Sequence, residues 1–335
     1  MGLDRNEVMK QAMETVDCIL CGKDETCLAY TTRDRLAVAP TDGGTLSADP
    51  FSIVRCQRCG LLFLNPRPTQ EEMGRYYPYS KYTDQFAPAI EDDPSFVRRL
   101  NRLYHMERIC RAVERVKREG RLLDVGCATG NFLERMRRRG NWRVQGVEIN
   151  EEAARYARDR FGLDVFGGEL GAAGYADRSF DVVTLWNVLE HLHSPLDTLS
   201  EVRRLLKDDG VLILTVPNGA SLDARIFGDC WIGLDPPRHL YTFSPATVRS
   251  TLSRAGLQAG EIRFMTGSYH SFTSSLCLAV SNSSLSERSQ AILNRMILSI
   301  PFHVLLLPYL RVTEWLKRGA ILTVYARQAQ QPGAR

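Results

Sequence analysis

At 335 residues, 44% of them apolar, the chain has enough material for one α/β domain of ordinary size plus additions. Its formal charge of +4 is small for that length, which argues against a broad nucleic-acid surface and leaves room only for a local basic patch. The opening MGLDRNEVMKQAMETVD is polar and acidic, without the apolar core of a signal sequence, so the expected location is cytoplasmic. Four of the nine cysteines form two near-identical knuckles, Cys18-Ile-Leu-Cys21-Gly22 and Cys56-Gln-Arg-Cys59-Gly60. In a reducing compartment such pairs bind metal more readily than they form disulfides. The glycine after each second thiolate permits a turn that aims backbone amides at sulfur. Brought together, Cys18, Cys21, Cys56 and Cys59 make a closed tetrahedral zinc site, structural because no coordination position stays open; the alternatives are free core thiols or a redox pair. The loop from Gly22 to Arg55 is long and carries Cys27 as a rival ligand.

This zinc-ribbon-like module is assigned to residues 1–68 and is followed by a linker and helical cover at 69–119. Tyr76, Tyr77, Tyr79, Tyr82 and Phe86 either line a substrate site or pack as a linker against the main domain. Phe96 to Glu119 has a helical apolar stripe of Phe96, Leu100, Leu103, Ile109, Val113 and Val116. Its arginines, interrupted by Glu107, Glu114 and Glu119, read as a solvated face more than as a phosphate track.

The stretch Arg121 to Met136, RLLDVGCATGNFLERM, is a strand, a small-residue turn and a helix, the first unit of a nucleotide-binding α/β domain. In the dinucleotide fingerprint G-x-G-x-x-G/A, Gly126 and Ala128 fit, but Asn131 stands where the third small residue belongs. An oxidoreductase is therefore the weakest reading. An acid, Asp124, precedes the turn, and a second, Glu148, ends the next strand at roughly the ~20-residue interval of a ribose-binding carboxylate. Further strands at about 163–166, 180–186 and 210–216 alternate with helices at about 150–161, 195–207 and 245–256, which predicts a doubly wound parallel sheet with ligands at the carboxyl ends of its strands.

Together with FDVVTLWNVLEHL, this pattern closely resembles the class I S-adenosylmethionine-dependent methyltransferases. Similar CxxC…CxxCG…NPRP leaders precede such a core in some bacterial proteins. The resemblance implies a seven-stranded Rossmann-like methyltransferase sheet over 120–335, with a sixth strand at 258–266 and an antiparallel seventh at 320–327. It implies that Asp124 orients the amino-acid end of the cofactor S-adenosylmethionine, that Gly126, Ala128 and Gly130 let this end sit on the backbone, and that Glu148 accepts hydrogen bonds from the ribose. Ile149 would lie against adenine, Glu169 with Leu170 would meet its amino edge, and Asn187 would face the methionine moiety. Glu190, His191 and Pro195 match a pattern shared across unlike substrates, which suits fold and cofactor pocket more than substrate chemistry; His191 is a secondary candidate base. In the substrate-side loop CWIGLDPPRHLYTFSP, Arg238 and His239 suit a base or substrate anchor, the alternative for His239 being a cap on the Ser244 helix. The DPPY or NPPY segment of amino-methylating members does not follow the fourth strand, where the residues are LWNVLEH, which disfavours methylation of an exocyclic base or glutamine nitrogen by that route.

An apolar helical insertion is expected at about 285–318. Its core, Met296 to Leu310, is flanked by Arg295, Arg311, Lys317 and Arg318 and is too short to read as a membrane span. It reads as a buried helical pair or as an interfacial element docking on anionic lipid. The expected activity is methyl transfer, above all to oxygen of a small or lipid-linked acceptor such as a sugar of a polysaccharide precursor, a quinone or another phenol. The alternatives are an RNA methyltransferase and a non-catalytic scaffold with a vestigial cofactor pocket.

Overall fold

The computed structural model describes residues 12–34, 50–77, 90, 96–265 and 268–329. The leader consists of β1 (Met13–Glu14), β2 (Thr26–Thr32), β3 (Phe51–Cys56), β4 (Leu62–Leu64), β5 (Arg67–Pro68) and one helical turn, α1 (Gln70–Met73). Along β3, Phe51 and Ile53 are buried while Ser52 and Val54 are not, the alternation of a strand covered on one face; that alternation ends at Arg55, before the buried Cys56 of the second knuckle. β2, β3 and β4 pair antiparallel. Tyr79, Tyr82 and Phe86 lie outside the described residues.

The next helix, α2 (Phe96–Glu114), ends short of Glu119. Its Arg111 pairs with Glu107 at 2.9 Å, and Glu107 and Glu114 both receive Arg139, at 2.6 and 3.0 Å. The first is an exposed pair within the helix, whereas the other two are part-buried and tie α2 to Arg139, just past the helix Asn131–Arg137.

The main domain continues through β6 (Gly120–Val125), α3 (Asn131–Arg137), β7 (Trp142–Glu148), α4 (Glu151–Phe161), β8 (Asp164–Gly167), β9 (Phe180–Trp186), α5 (Pro195–Leu205) and β10 (Leu206–Pro217). After α6 (Leu222–Phe227) come β11 (Tyr241–Thr242), α7 (Pro245–Arg254), β12 (Leu257–Met265), three helices, α8 (Ser268–Ser281), α9 (Glu287–Ile297) and α10 (Ile300–Trp315), and finally β13 (Ile321–Gln328). Seven strands form one sheet in the order β8-β7-β6-β9-β10-β13-β12, in which only β13 runs antiparallel to its neighbours. Val182, Val183 and Leu185 of β9 and Leu212, Ile213 and Leu214 of β10 are buried on both faces, the unbroken apolar runs of parallel strands covered by helices. The strand order reverses between β6 and β9, and the crevice at their carboxyl ends is where such sheets bind ligands.

β11 ties the two parts together. Tyr241 pairs with Phe63 and Thr242 with Leu62, so the leader's sheet is completed by a strand from the loop after β10. Phe63, Ile53, Trp231, Tyr241 and Phe243 share one core, and the leader therefore fixes the loop that carries His239.

The insertion begins at Ser268, earlier than the sequence pattern suggested, and has three helices. The expected buried pair is not formed. In α9 and α10 only Ile297, Leu306, Leu310 and Thr313 are buried, whereas Met296, Leu298, Ile300, Val304, Leu305, Leu307 and Trp315 face outward, Leu305 at 75% and Trp315 at 81% exposure. The physical reason is that α10 carries apolar residues on most of its circumference, while only the side with Leu306, Tyr309, Leu310 and Thr313 packs on the protein. Tyr309 anchors that side by donating to Asp223 Oδ1 at 2.7 Å. Among the described residues no single helix is long and apolar enough to cross a membrane; α9 and α10 meet that test only together, across a 65° bend.

Candidate active site

Three residues of the turn after β6 have left-handed backbone: Gly126 (φ 73°), Ala128 (φ 48°) and Gly130 (φ 78°). A Cβ on Gly126 would lie 2.6 Å from Val188 Cγ2, and one on Gly130 would lie 2.6 Å from Leu163 Cδ1 and 2.9 Å from the Ala157 methyl. Close packing as well as conformation thus requires glycine at both. Ala128 is held in its unfavourable conformation by donating its N–H to Glu148 Oε2 at 2.8 Å, while Glu148 Oε1 accepts from Asn150 N at 2.9 Å. Glu148 thereby fastens the turn to the start of α4, a task its sequence position did not announce, and each oxygen keeps a second lone pair for a ligand hydroxyl. Ile149, beside it, is 68% exposed.

Asp124 is 2% exposed and accepts a hydrogen bond from Thr184 Oγ1 at 2.6 Å. Burial, against the pull of Thr184 and with a contribution from the nearby Glu148 charge, pushes its carboxyl up to about 8. At pH 7 it is mostly neutral, and a bound ammonium group would favour its charged form. Affinity for S-adenosylmethionine is therefore expected to rise between pH 6 and 8, by at most about tenfold per unit, with proton release on binding. Calorimetry in buffers of different ionisation enthalpy measures this; a flat profile with no released proton contradicts it.

Glu169 lies at the start of a short 3-10 turn, where its carboxylate accepts from Gln70 Nε2 at 2.6 Å. Leu170 turns its side chain into the core, so only its backbone is available to a ligand. Asn187, at φ 55°, closes the end of β9: its N–H donates to Thr215 Oγ1 at 3.0 Å and its Oδ1 accepts from Thr215 Oγ1 at 2.9 Å.

Val188, on which Gly126 rests, leads into the turn Leu189–His191, so the glycine turn adjoins a second polar group. Glu190 is fully buried, and neither carboxylate oxygen has a hydrogen-bond partner among the described residues. Burial pushes its carboxyl up to about 8; its own backbone N–H and Asn187 favour the charge without reaching hydrogen-bonding geometry. His191 Nδ1 lies 3.0 Å from the Arg238 carbonyl and 2.9 Å from the Tyr77 hydroxyl. A carbonyl only accepts, so Nδ1 carries the proton. His239 likewise donates from Nδ1 to the Gly233 carbonyl at 2.9 Å, and the two imidazoles stand edge to face with centroids 4.7 Å apart. Burial, then the proximity of His239, lowers His191 to about 3 and keeps it neutral.

Tyr77 is thus a site residue, and only its membership of an aromatic cluster hinted at this. Tyr76 packs edge-on against Phe51 as linker. The anchor role considered for Arg238 is excluded by its pairing: at 3% exposure its guanidinium grips Asp235 at 2.9 and 2.7 Å and Asp34 at 2.9 Å, locking the histidine loop to the leader. Nor does His239 cap α7, whose capping box is Ser244 with Thr247.

The sulfurs of Cys18, Cys21, Cys56 and Cys59 all lie within 4.8 Å of one another, with Cys18 and Cys59 3.5 Å apart. Zn–S bonds of about 2.3 Å call for S···S separations of roughly 3.8 Å, so the set fits one tetrahedral ion. Gly22 (φ 60°) and Gly60 (φ 75°) turn each knuckle as expected. Cys27 is exposed, with its thiol on the Arg55 carbonyl, and is not part of the group.

A family model for a methyltransferase domain matches residues 96–261. An ubiquinone biosynthesis O-methyltransferase of Thiobacillus denitrificans is 30% identical over 158 residues, 44% of this chain and 68% of that one. The chain belongs to the S-adenosylmethionine-dependent methyltransferases. This methyltransferase is also 29% identical over 141 residues to a malonyl-[acyl-carrier protein] O-methyltransferase of Erwinia pyrifoliae, covering 42% of this chain and about half, 53%, of that relative. A chain from a complex between the Haloferax volcanii Trm112 methyltransferase activator and a putative methyltransferase shares the fold, with TM-score 0.51 and 15% identity over 76% of this chain and 98% of that one.

Proposed function

We propose that this methyltransferase methylates a hydroxyl oxygen of a lipophilic or lipid-linked acceptor met at a membrane surface. The observation that carries the reading is the outward apolar face of α9 and α10. The insertion leaves the sheet where Met265 and Pro217 both pair with Ile321, at the carboxyl end of β10. Its α8 packs on the substrate-side loop, where Ser275 Oγ accepts from Ile232 N at 3.0 Å. Arg295, Arg311, Lys317 and Arg318 flank the apolar face and suit anionic headgroups. Both named relatives are O-methyltransferases, which supports oxygen as the acceptor atom.

The glycine cradle, the buried Asp124 and the exposed Ile149 fit S-adenosylmethionine, which supplies an electrophilic sulfonium methyl when bound. Asp124 would hold its ammonium group, Glu148 its ribose, Ile149 and the Glu169–Leu170 backbone its adenine, and Asn187 would border its methionine end. The chain's remaining tasks are to align the acceptor and to promote loss of its hydroxyl proton, and the polar groups placed for the second are Glu190, His191 and His239.

Sedimentation with phosphatidylglycerol vesicles tests the membrane reading. The natural chain is expected to bind, and Leu305→Glu with Trp315→Glu to weaken binding at least about tenfold, since each large apolar side chain contributes up to about 1.5–3 kcal/mol on full burial. Unchanged partition contradicts it.

The four cysteines are proposed to hold one structural zinc. Metal analysis is expected to give one equivalent per chain, and chelation to lower the melting temperature by loosening β2, β3, β4 and, through β11, the His239 loop. Less than about half an equivalent, with no effect of chelator, rules this out.

A further inference from the structure

Glu190 is a buried carboxylate whose two oxygens lack hydrogen-bond partners among the described residues, an expensive arrangement unless something cationic joins it. We propose that Glu190, His191 and His239 bind one divalent transition-metal ion, which takes the acceptor's hydroxyl oxygen as a further ligand. This rests on the oxygen-methylation reading and specifies how the acceptor is activated.

One ligand atom from each of the three residues lies within 4.8 Å of the others. Modest side-chain rotation brings such a set onto one ion with bonds of about 2.0–2.2 Å. Both imidazoles are prepared for it: with Nδ1–H donated to the Arg238 and Gly233 carbonyls, each presents the Nε2 lone pair, and a carbonyl behind a ligating histidine is the usual support that fixes tautomer and ring orientation. Tyr77 adds a second contact behind His191 and is a positioning residue. Two nitrogens and one carboxylate suit manganese, iron, cobalt, nickel or zinc better than magnesium or calcium. Three protein ligands leave positions open, and the histidines are only half-buried, so an acceptor can reach the ion. The soft ribbon thiolates form a separate, closed set.

On the ion the acceptor O–H bond breaks and its proton passes to solvent water. The oxygen lone pair then forms the new O–CH3 bond as the C–S bond of the cofactor breaks, its electron pair returning to sulfur, which becomes a neutral thioether. His191 and His239 thus act as ligands and not as proton carriers.

The test titrates Mn2+ into the full-length, zinc-loaded chain, with the spin-resonance signal of free Mn2+ as readout and no acceptor needed. The expected result is one Mn2+ per chain, weakened at least about tenfold by Glu190→Gln and by His239→Ala. S-adenosylmethionine binding, measured on the same samples, should stay within about twofold. Because Glu190 is buried and its substitution can disturb folding, His239→Ala, at a half-exposed position, is the deciding variant. No Mn2+ binding below about 1 mM, or equal binding by the natural chain and His239→Ala, overturns the site. Acceptor labelling that proceeds equally with and without the ion overturns its role while leaving methyl transfer intact. Mn2+ binding lost in His239→Ala supports the site even if no oxygen acceptor is labelled, in which case the functional reading fails separately.

Discussion

Glu148→Ala is expected to lower the affinity for S-adenosylmethionine at least about 100-fold. A carboxylate that accepts from two ribose hydroxyls makes two charge-assisted hydrogen bonds, each of about 1.5–3 kcal/mol, and about 1.4 kcal/mol is tenfold. The same side chain holds Ala128 in left-handed backbone and receives Asn150 N, so its loss also frees the turn on which the cofactor's amino-acid end would sit. Glu148→Gln keeps one acceptor oxygen and should lose only about tenfold. Calorimetric titration of the three proteins measures this. Equal affinities would place the cofactor elsewhere than on this turn.

Gly130→Ala is expected to destabilise the fold by about 2–5 kcal/mol. Left-handed backbone costs an L-residue about 1–2 kcal/mol, and forcing a methyl into packed neighbours about 1–3 kcal/mol. Both apply here, because the added Cβ would meet Leu163 and Ala157 from β8's approach and α4, neither of which has free space behind it. Urea unfolding of the natural and substituted chains reads the difference directly. A shift within about 0.5 kcal/mol would mean the turn does not have the backbone described.

What was legible in the sequence is what has a short period or a fixed spacing. Leu122, Leu123 and Val125 announce a buried strand, Gly126 and Gly130 a turn, and the later strands announce themselves by apolar runs within a residue or two of their bounds, except β10, which starts at Leu206, four residues before its expected start, through the polar Lys207-Asp208-Asp209. The cysteine knuckles were equally clear, since metal ligands need fixed spacing. Contacts across long sequence separations were not. Nothing in NPRPTQEEMGRYY says that Tyr77 reaches His191, or that Asp34 in the leader claims Arg238, because such pairings depend on how the ribbon lies against the loop after β10. The buried alternative for the insertion failed for a different reason: composition shows that α10 is largely apolar, but whether such a helix is buried depends on how many partners surround it, and here α8 and α6 lie on one side.

The central claim is methyl transfer to a lipophilic hydroxyl. Its most direct test is incubation of the full-length chain with methyl-labelled S-adenosylmethionine and a membrane extract of the cells that make it, followed by separation of organic, aqueous and RNA fractions. Label in the organic phase, released by treatments that cleave O-methyl bonds and strongly reduced in Glu148→Ala, is the predicted result. Label confined to RNA or to aqueous solutes, with cofactor binding intact, would contradict it.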